Sequence, residues 1–216
     1  MVTAKMIKDL RQRTGAGMLD CKKALGEANG NIEEAIGWLR KKGISKAAKK
    51  SSRTASEGLV DAYIHANGKI GVLVEINAET DFVARNEQFQ AFVKDIAMHI
   101  AAAAPEFVSR DQVSPDAIEK ERQIQLGRVM EEGKPEHIAA RIVDGRMGKF
   151  YEENCLLDQK YVKDDSKTVQ QYIDETIATI GENIKVRRFS RFVMGEGLEK
   201  KSDDFAAEVA AAAGLS

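Results

Sequence analysis

Cysteine, long apolar runs and an excess of one charge are all scarce in this sequence. Two cysteines among 216 residues exclude a disulfide framework and a cysteine metal cluster, and they suit a reducing cytoplasm. No apolar run is long enough to cross a bilayer, and the N-terminus lacks the apolar segment of a signal peptide. The net charge of −1 argues against extensive nucleic-acid binding. We therefore expect a cytoplasmic protein with neither a membrane nor a stably bound nucleic acid as partner.

Side chains arranged for catalysis are also lacking. His65, His99 and His137 do not have the spacing of metal ligands, and neither cysteine has a recognisable activating partner. The segment from Gly15 to Gly17 resembles a nucleotide-binding loop, but no strand precedes it, and no Walker-type loop occurs. We predict that the chain is not an enzyme, needs no cofactor or metal, and acts by changing the affinity of another protein.

The residues that are present predict an ordinary soluble protein. With 43% hydrophobic and 31% charged residues, the chain can form one sizeable core and a small accessory module. Residues 1–43 are predicted to be that module, a bundle of three short helices with ends at Gly30 and Gly43. Apolar residues at helical spacing mark the helices: Met6, Ile7 and Leu10; Met18, Cys21 and Leu25; Ile32, Ala35, Ile36 and Leu39.

Residues 57–200 are predicted to form an α+β core, a small antiparallel three-stranded sheet covered by helices. Asn67-Gly68 predicts a hairpin turn. The predicted strands are residues 58–65, 69–77 and 185–194. The predicted helices are residues 86–104 and 169–180, two more beginning near Ser114 and Pro135, and a C-terminal helix over residues 203–213 within a module of residues 201–216. Residues 156–165 are predicted to be irregular.

A basic segment lies between bundle and core. Residues 40–56 contain seven Lys or Arg residues and no acidic residue. We predict that residues 44–56 form a solvated, mobile linker. A second possibility is a basic arm that contacts RNA phosphates or an acidic partner.

The segment from Glu75 to Asn86 marks the corner between the hairpin and the following helix. An apolar β-run stops there, and Phe82 follows Thr80 and Asp81. One interpretation is that Thr80 or Asp81 caps the helix while Phe82 packs in the core. The alternative is that Phe82 projects outward as a wedge that enters a partner.

Several separated motifs together resemble the bacterial elongation factor Ts family. They are the segments 10–25 (LRQRTGAGMLDCKKAL), 80–85 (TDFVAR), 181–188 (GENIKVRR), 195–197 (GEG) and 204–210 (DFAAEVA). The resemblance covers nearly the whole chain. It implies that the bundle has the fold of a ubiquitin-associated domain and grips a GTPase. It also implies that the chain is a guanine nucleotide exchange factor for EF-Tu in translation elongation, which releases GDP by displacing Mg²⁺ and phosphate contacts.

The resemblance also implies roles for particular residues. Thr80, Asp81, Phe82 and Val83 match the segment that dislocates Mg²⁺ from the GTPase, with Phe82 entering a pocket between helices of its G domain. Leu19 stands where the family commonly has a second methionine, and leucine keeps the apolar character of that position. The residues that match partner-binding positions are Arg11, Met18, Leu19, Lys22, His65, Ile180, Gly181, Phe205 and Val209.

The resemblance finally suggests a dimer. Long members of the family contain two core halves, one with the Asp-Phe corner and one with the His-bearing strand, whereas this chain combines both in one unit. We predict that two chains pair, so that Phe82 of one and His65 of the other engage one EF-Tu, giving a 2:2 complex. The alternatives are a monomer that uses only Phe82 and the bundle, and a non-exchanging adaptor whose basic segment contacts RNA.

Overall fold

Three helices form an N-terminal bundle in the computed structural model, which describes residues 2–198 apart from the side chain of Glu136. They are α1 (Ala4–Thr14), α2 (Met18–Glu27) and α3 (Ile32–Lys50). The side chains of Thr3 and Asn31 cap α1 and α3, and Gly15 ends α1 with a φ of 66°. The bundle core consists of Leu10, Cys21, Ala24, Leu25, Ala28 and Ala35. The likeness to ubiquitin-associated domains stays a prediction.

Helix α3 is longer than predicted. It continues through Gly43, where we expected it to end, as far as Lys50, so residues 44–50 are helical rather than irregular. Lys and Ala are strong helix formers, which favours this extension. A Cβ at buried Gly43 would lie 3.5 Å from Ala178 Cβ, an ordinary van der Waals contact, so α3 lies directly against the helix Val169–Ile180 at this point. The division of the chain into domains stays a prediction.

Most basic side chains at the end of α3 bind acceptors within the chain. Arg40 pairs with Glu175, Lys42 and Lys46 with Asp20, and Arg53 with Glu79, while Lys50 donates to the Gly181 carbonyl. These contacts join the bundle to the core. They also leave fewer cations for the phosphate contacts that an RNA-binding arm would need.

The three-stranded antiparallel sheet is confirmed. Its strands are β1 (Glu57–His65), β2 (Ile70–Ala78) and β5 (Ile184–Val193), in the order β1-β2-β5. The predicted turn is present, with φ of 55° at Asn67 and 87° at Gly68. Because β2 is central, its inward side chains Val72, Val74 and Ile76 are buried. The α+β fold is therefore as predicted.

Two helices cover one face of this sheet. They are α5 (Glu87–Ala103), capped by Asn86, and α8 (Val169–Ile180), which begins with a capping box at Thr168. Both agree with the predicted helices. The main core lies between them and the sheet and includes Phe89, Phe92, Val93, Ile96, Ile100, Ile173, Ile177 and Ile184. Within residues 2–198, the opposite face of the sheet keeps several large apolar side chains exposed.

A helical arm follows α5. It consists of α6 (Pro115–Glu131) and α7 (Glu136–Asn154), whose starts agree with the predictions at Ser114 and Pro135. The two helices pack mainly against each other, around a separate cluster that contains Val129, Ala139, Val143 and Met147. The sequence predicted the two helices but not their separation from the core.

The segment 156–165, predicted to be irregular, contains a short ribbon. Its strands are β3 (Lys160–Tyr161) and β4 (Asp164–Thr168). Asp95 on α5 holds this ribbon, because its carboxylate accepts hydrogen bonds from the hydroxyls of Tyr161 and Tyr172 and from Lys163 Nζ. The strands were missed because so short a ribbon depends on contacts with distant residues.

Buried His99 makes stability depend on pH. Its Nε2 lies 2.9 Å from Gln159 Oε1 and its Nδ1 accepts the Val162 N–H at 3.2 Å, so both nitrogens are used by the neutral ring. Burial lowers the pKa of His99 below its usual value near 6.5. Below about pH 6.5 the unfolded chain therefore binds a proton that the folded chain does not, and stability falls.

We expect the urea midpoint to decrease between pH 7.5 and 5.5, with a smaller decrease in His99→Gln. That variant should be less stable at both pH values, because Gln cannot reproduce both hydrogen bonds. Equal decreases in the two proteins would contradict this role of His99.

Candidate functional site: an exposed corner and separated contact surfaces

Phe82 lies on the corner where the sheet meets the helices. Strand β2 ends at Ala78, and a four-residue helix, α4 (Asp81–Ala84), precedes the cap of α5 at Asn86. The Phe82 side chain is 77% exposed, whereas that of Val83 is buried in the core. The interpretation of Phe82 as a core residue is therefore wrong. Val83 occupies the core position, and the corner carries an aromatic ring into solvent.

Residues on both sides of Phe82 have defined contacts. The side chain of Thr80 does not cap α4. Its hydroxyl instead donates to Glu182 Oε1 at 2.7 Å, and its N–H donates to Glu182 Oε2 at 3.0 Å. Asp81 is exposed and pairs with Arg85 at 3.0 Å. Asp81 therefore has an exchangeable surface partner, while Thr80 is tied to the core.

A second apolar surface lies at the start of α2. Met18 and Leu19 are 57% and 83% exposed, and Arg11 and Lys22 are also exposed. Met18 shares the helical spacing of Cys21 and Leu25, but the core of this helix is supplied by Cys21, Ala24 and Leu25.

Asp20 fixes this surface to α3. Hydrogen bonds from Lys42 at 2.7 Å and Lys46 at 2.6 Å hold the pKa of Asp20 below its usual value. The start of α2 thus presents an apolar pair on an anchored helix.

His65 is exposed at the hairpin end of β1. Its Nδ1 lies 3.0 Å from the Tyr63 hydroxyl, and the two rings stack with centroids 5.8 Å apart. The register pairs Glu57 with Ala78 at the other end of the same strands, next to the Phe82 corner. Eight residue steps separate these ends, about 26 Å at roughly 3.3 Å per residue. One chain therefore places His65 and Phe82 at opposite ends of the sheet.

Ile180 and Gly181 lie where α8 ends. Ile180 packs against the main core and is half-buried. Gly181 ends the helix in the left-handed region with a φ of 92°, and its N–H donates to the Ile177 carbonyl at 2.9 Å. Capping explains this glycine without a partner. Phe205 and Val209, with the predicted helix over residues 203–213, lie outside the described residues.

The open face of the sheet was missed by sequence analysis. It carries four large apolar side chains that are between 50% and 69% exposed, namely Val60, Ile64, Leu73 and Phe192, and exposed Met194 directly follows β5. The signal was present in β1, where these outward positions alternate with inward Leu59 and Tyr63, so both faces are apolar. A sheet with two apolar faces is typical of one that is covered on both sides.

Residues 2–198 contain no group of three or more histidine, cysteine or acidic side chains that could hold a metal ion. In the same range, no helix combines the length and apolar character needed to cross a membrane. Cys21 and Cys155 are both buried, and burial raises the pKa of Cys155 to about 11. What the described residues do present is a set of exposed apolar side chains on anchored corners, which is the surface of a protein-binding factor.

Comparison with known proteins identifies the kind of factor. The family model for elongation factor TS matches residues 4–196. Over 214 residues the chain is 63% identical to elongation factor Ts of Geobacter metallireducens and 61% identical to that of Geobacter sulfurreducens, with 99% of each chain covered. It is 61% identical over 209 residues to elongation factor Ts of Acetivibrio thermocellus, with 97% of each chain covered. The chain belongs to the elongation factor Ts family.

Proposed function

We propose that this protein releases GDP from EF-Tu by inserting Phe82 into the GTPase and displacing its Mg²⁺ and phosphate contacts. Membership of the family, at more than 60% identity over the full chain, makes it a guanine nucleotide exchange factor for EF-Tu in translation elongation. It acts in the cytoplasm, as an exchange factor on a partner and not as an enzyme with its own substrate.

The exposure of Phe82 carries this proposal. A large aromatic ring that is 77% exposed on a corner anchored through Thr80 gains free energy when a partner covers it. Burying such a ring contributes roughly 1.5–3 kcal/mol. That contribution favours a GTPase conformation with a displaced metal site, provided that the ring is covered only in that conformation. By linkage, GDP and the exchange factor weaken each other's binding by the same factor.

Further contacts must add to this free energy, since one ring does not offset the loss of GDP. Met18 and Leu19 at the start of α2 supply a second apolar contact, with Arg11 and Lys22 beside it. Ile180 and Gly181 contribute a smaller contact, and Phe205 and Val209 are assigned by the family motif alone. Asp81 exchanges its surface partner Arg85 for polar groups near the metal site. The surfaces act together because each is anchored to the same fold.

We also propose that the active form is a homodimer. Phe82 and His65 lie at opposite ends of the sheet in one chain, about 26 Å apart along the strands, too far to enter one small site. Two sheets packed antiparallel through their open apolar faces would bring the strand end that carries His65 in one subunit toward the Phe82 corner of the other. Closed symmetry then gives two equivalent sites and a 2:2 complex with EF-Tu.

Release of a fluorescent GDP analogue from EF-Tu tests the proposed exchange mechanism. The parent protein should accelerate release, and Phe82→Ala should reduce that acceleration about 10- to 100-fold, as expected from the loss of roughly 1.5–3 kcal/mol. Met130→Ala is a matched control, because Met130 is an exposed apolar residue on the helical arm. It should release GDP at the parent rate.

Two results would contradict the proposal. A parent protein that binds EF-Tu without accelerating release would leave the adaptor as the better description. A folded Phe82→Ala variant with the parent rate would remove the wedge from the mechanism while keeping exchange.

A further inference from the structure

Two carboxylates form a reciprocal contact behind Phe82. Glu182 accepts the N–H and hydroxyl of Thr80, at 3.0 and 2.7 Å. Glu79 Oε1 in turn accepts the N–H of Asn183 at 2.7 Å. We call Glu79, Thr80, Glu182 and Asn183 the carboxylate clasp. It joins the segment that leads from β2 to Phe82 with the segment that follows α8, about a hundred residues later in the sequence.

We propose that Glu182 is a positioning residue for nucleotide exchange, which holds the corner so that Phe82 projects in the orientation needed for insertion. This inference rests on the proposed function of Phe82. Glu182 is half-buried and bonds Thr80, and through Thr80 it acts on Phe82.

The corner depends on contacts with the rest of the fold, which are the buried Val83 side chain and the carboxylate clasp. Helix α4 has only four residues, too few to be stable by itself, and the side chain of Thr80 does not cap it. Asp81 and Arg85 form an exposed pair, which contributes little. Hydrogen bonds from an N–H and a hydroxyl to one carboxylate are charge-assisted and fix both distance and direction. Glu182 therefore supplies the contact that sets the direction of the chain two residues before Phe82.

The same turn also holds the end of α3. Asn183 is almost fully buried, and its side-chain amide donates to the Arg53 carbonyl at 2.7 Å. Lys50 Nζ donates to the Gly181 carbonyl, and Arg53 lies 3.5 Å from Glu79. The clasp thus connects the Phe82 corner to the helix that carries the N-terminal bundle.

A prealigned corner lowers the ordering cost of binding, because the orientation of the ring is fixed before the partner arrives. Without the clasp, α4 would sample other directions, and part of the binding free energy would be used to order it. The expected defect is therefore in GDP release from the bound complex more than in the stability of the exchange factor.

The test compares Glu182→Ala, Thr80→Val and Phe82→Ala in GDP release at saturating exchange factor, with EF-Tu binding measured separately. We expect Glu182→Ala to reduce the maximal release rate about tenfold, which is within the range for a misplaced functional group. Thr80→Val keeps the N–H and the side-chain shape but loses the hydroxyl, so its decrease should be smaller. Glu182→Gln, which retains one acceptor oxygen, should recover part of the loss.

Asp95→Ala is the control for general destabilisation. Asp95 also accepts three hydrogen bonds in the core, but it contacts the β3–β4 ribbon and α8, not the corner. It should lower the thermal midpoint at least as much as Glu182→Ala and leave the release rate of the folded protein unchanged. Equal loss of exchange in both variants would reduce the clasp to a stability contact and overturn the proposal.

A double-mutant cycle gives the decisive readout. If Glu182 acts through Phe82, Glu182→Ala should have no further effect on release in a Phe82→Ala background. Additive effects would show that Glu182 acts elsewhere and would overturn the positioning role. If Phe82→Ala slows GDP release as expected but Glu182→Ala releases GDP at the parent rate, the role of the clasp is overturned and the wedge is kept. A Phe82→Ala variant with the parent rate would overturn the proposed wedge and the clasp's role with it.

Discussion

Gly58→Ala should unfold or severely destabilise the protein. Gly58 lies in β1 opposite Asn77 with a φ of 130°, which L-residues rarely adopt. A Cβ there would lie 2.2 Å from the Ile76 carbonyl oxygen and 2.7 Å from Asn77 Cα, and both are backbone atoms of the central strand. Neither can move without shifting β2. Backbone strain alone costs about 1–3 kcal/mol, so we expect a total loss of at least about 3 kcal/mol in urea unfolding.

Gly68→Ala separates the two causes of this loss. Gly68 also has a positive φ, of 87°, but nothing lies within 4 Å of the position of an added Cβ. It should therefore show only the conformational cost, about 1 kcal/mol. If Gly58→Ala were no less stable than Gly68→Ala, the close approach of β1 to β2 would have no energetic consequence.

Leu73→Asp should convert the proposed dimer to monomers. Leu73 lies on the central strand, half exposed on the open apolar face. Because a two-fold interface uses the same surface twice, one substitution places two carboxylates in it. An unpaired buried charge costs about 3–5 kcal/mol, so we expect the dimer dissociation constant to rise at least about a thousandfold. Sedimentation equilibrium of the parent and the variant measures this change.

Val162→Asp is the matched control, since Val162 is equally exposed but lies in the turn between β3 and β4. It should remain a dimer. The Leu73→Asp monomer should also release GDP more slowly, because His65 of a second subunit is no longer beside Phe82. A monomeric parent with full exchange activity would exclude the dimer and favour a monomer that uses Phe82 and the bundle.

Local sequence signals predicted most elements of the fold. Asn67-Gly68 and the flanking apolar runs identified the hairpin, and apolar spacing identified α5 and α8. The predicted end of α3 at Gly43 was wrong because a glycine can also lie inside a helix, and Gly43 does so where α3 faces Ala178. The β3–β4 ribbon was missed because Asp95, which holds it, is more than sixty residues away.

The candidate site was less predictable than the fold. Spacing placed Met18 on a helix and allowed Phe82 to be a core residue, and both are exposed. An apolar residue at helical spacing carries no local mark that shows whether its own chain or a partner covers it. Only the resemblance indicated an outward Phe82. Glu182 carried no usable signal, since its partner Thr80 is 102 residues earlier in the chain.

Helix α3 belongs to both the bundle and the core. Its 19 residues span about 28 Å, with the Asp20 contacts at Lys42 and Lys46 in its second half and the Gly181 contact at Lys50, its last residue. Because no flexible joint divides this rod, the bundle cannot swing without bending a continuous helix. The two proposed contact surfaces, the apolar pair on α2 and the Phe82 corner, are therefore held at a preset spacing. The entropy cost of fixing their relative orientation is therefore met when the chain folds, and not when the GTPase binds.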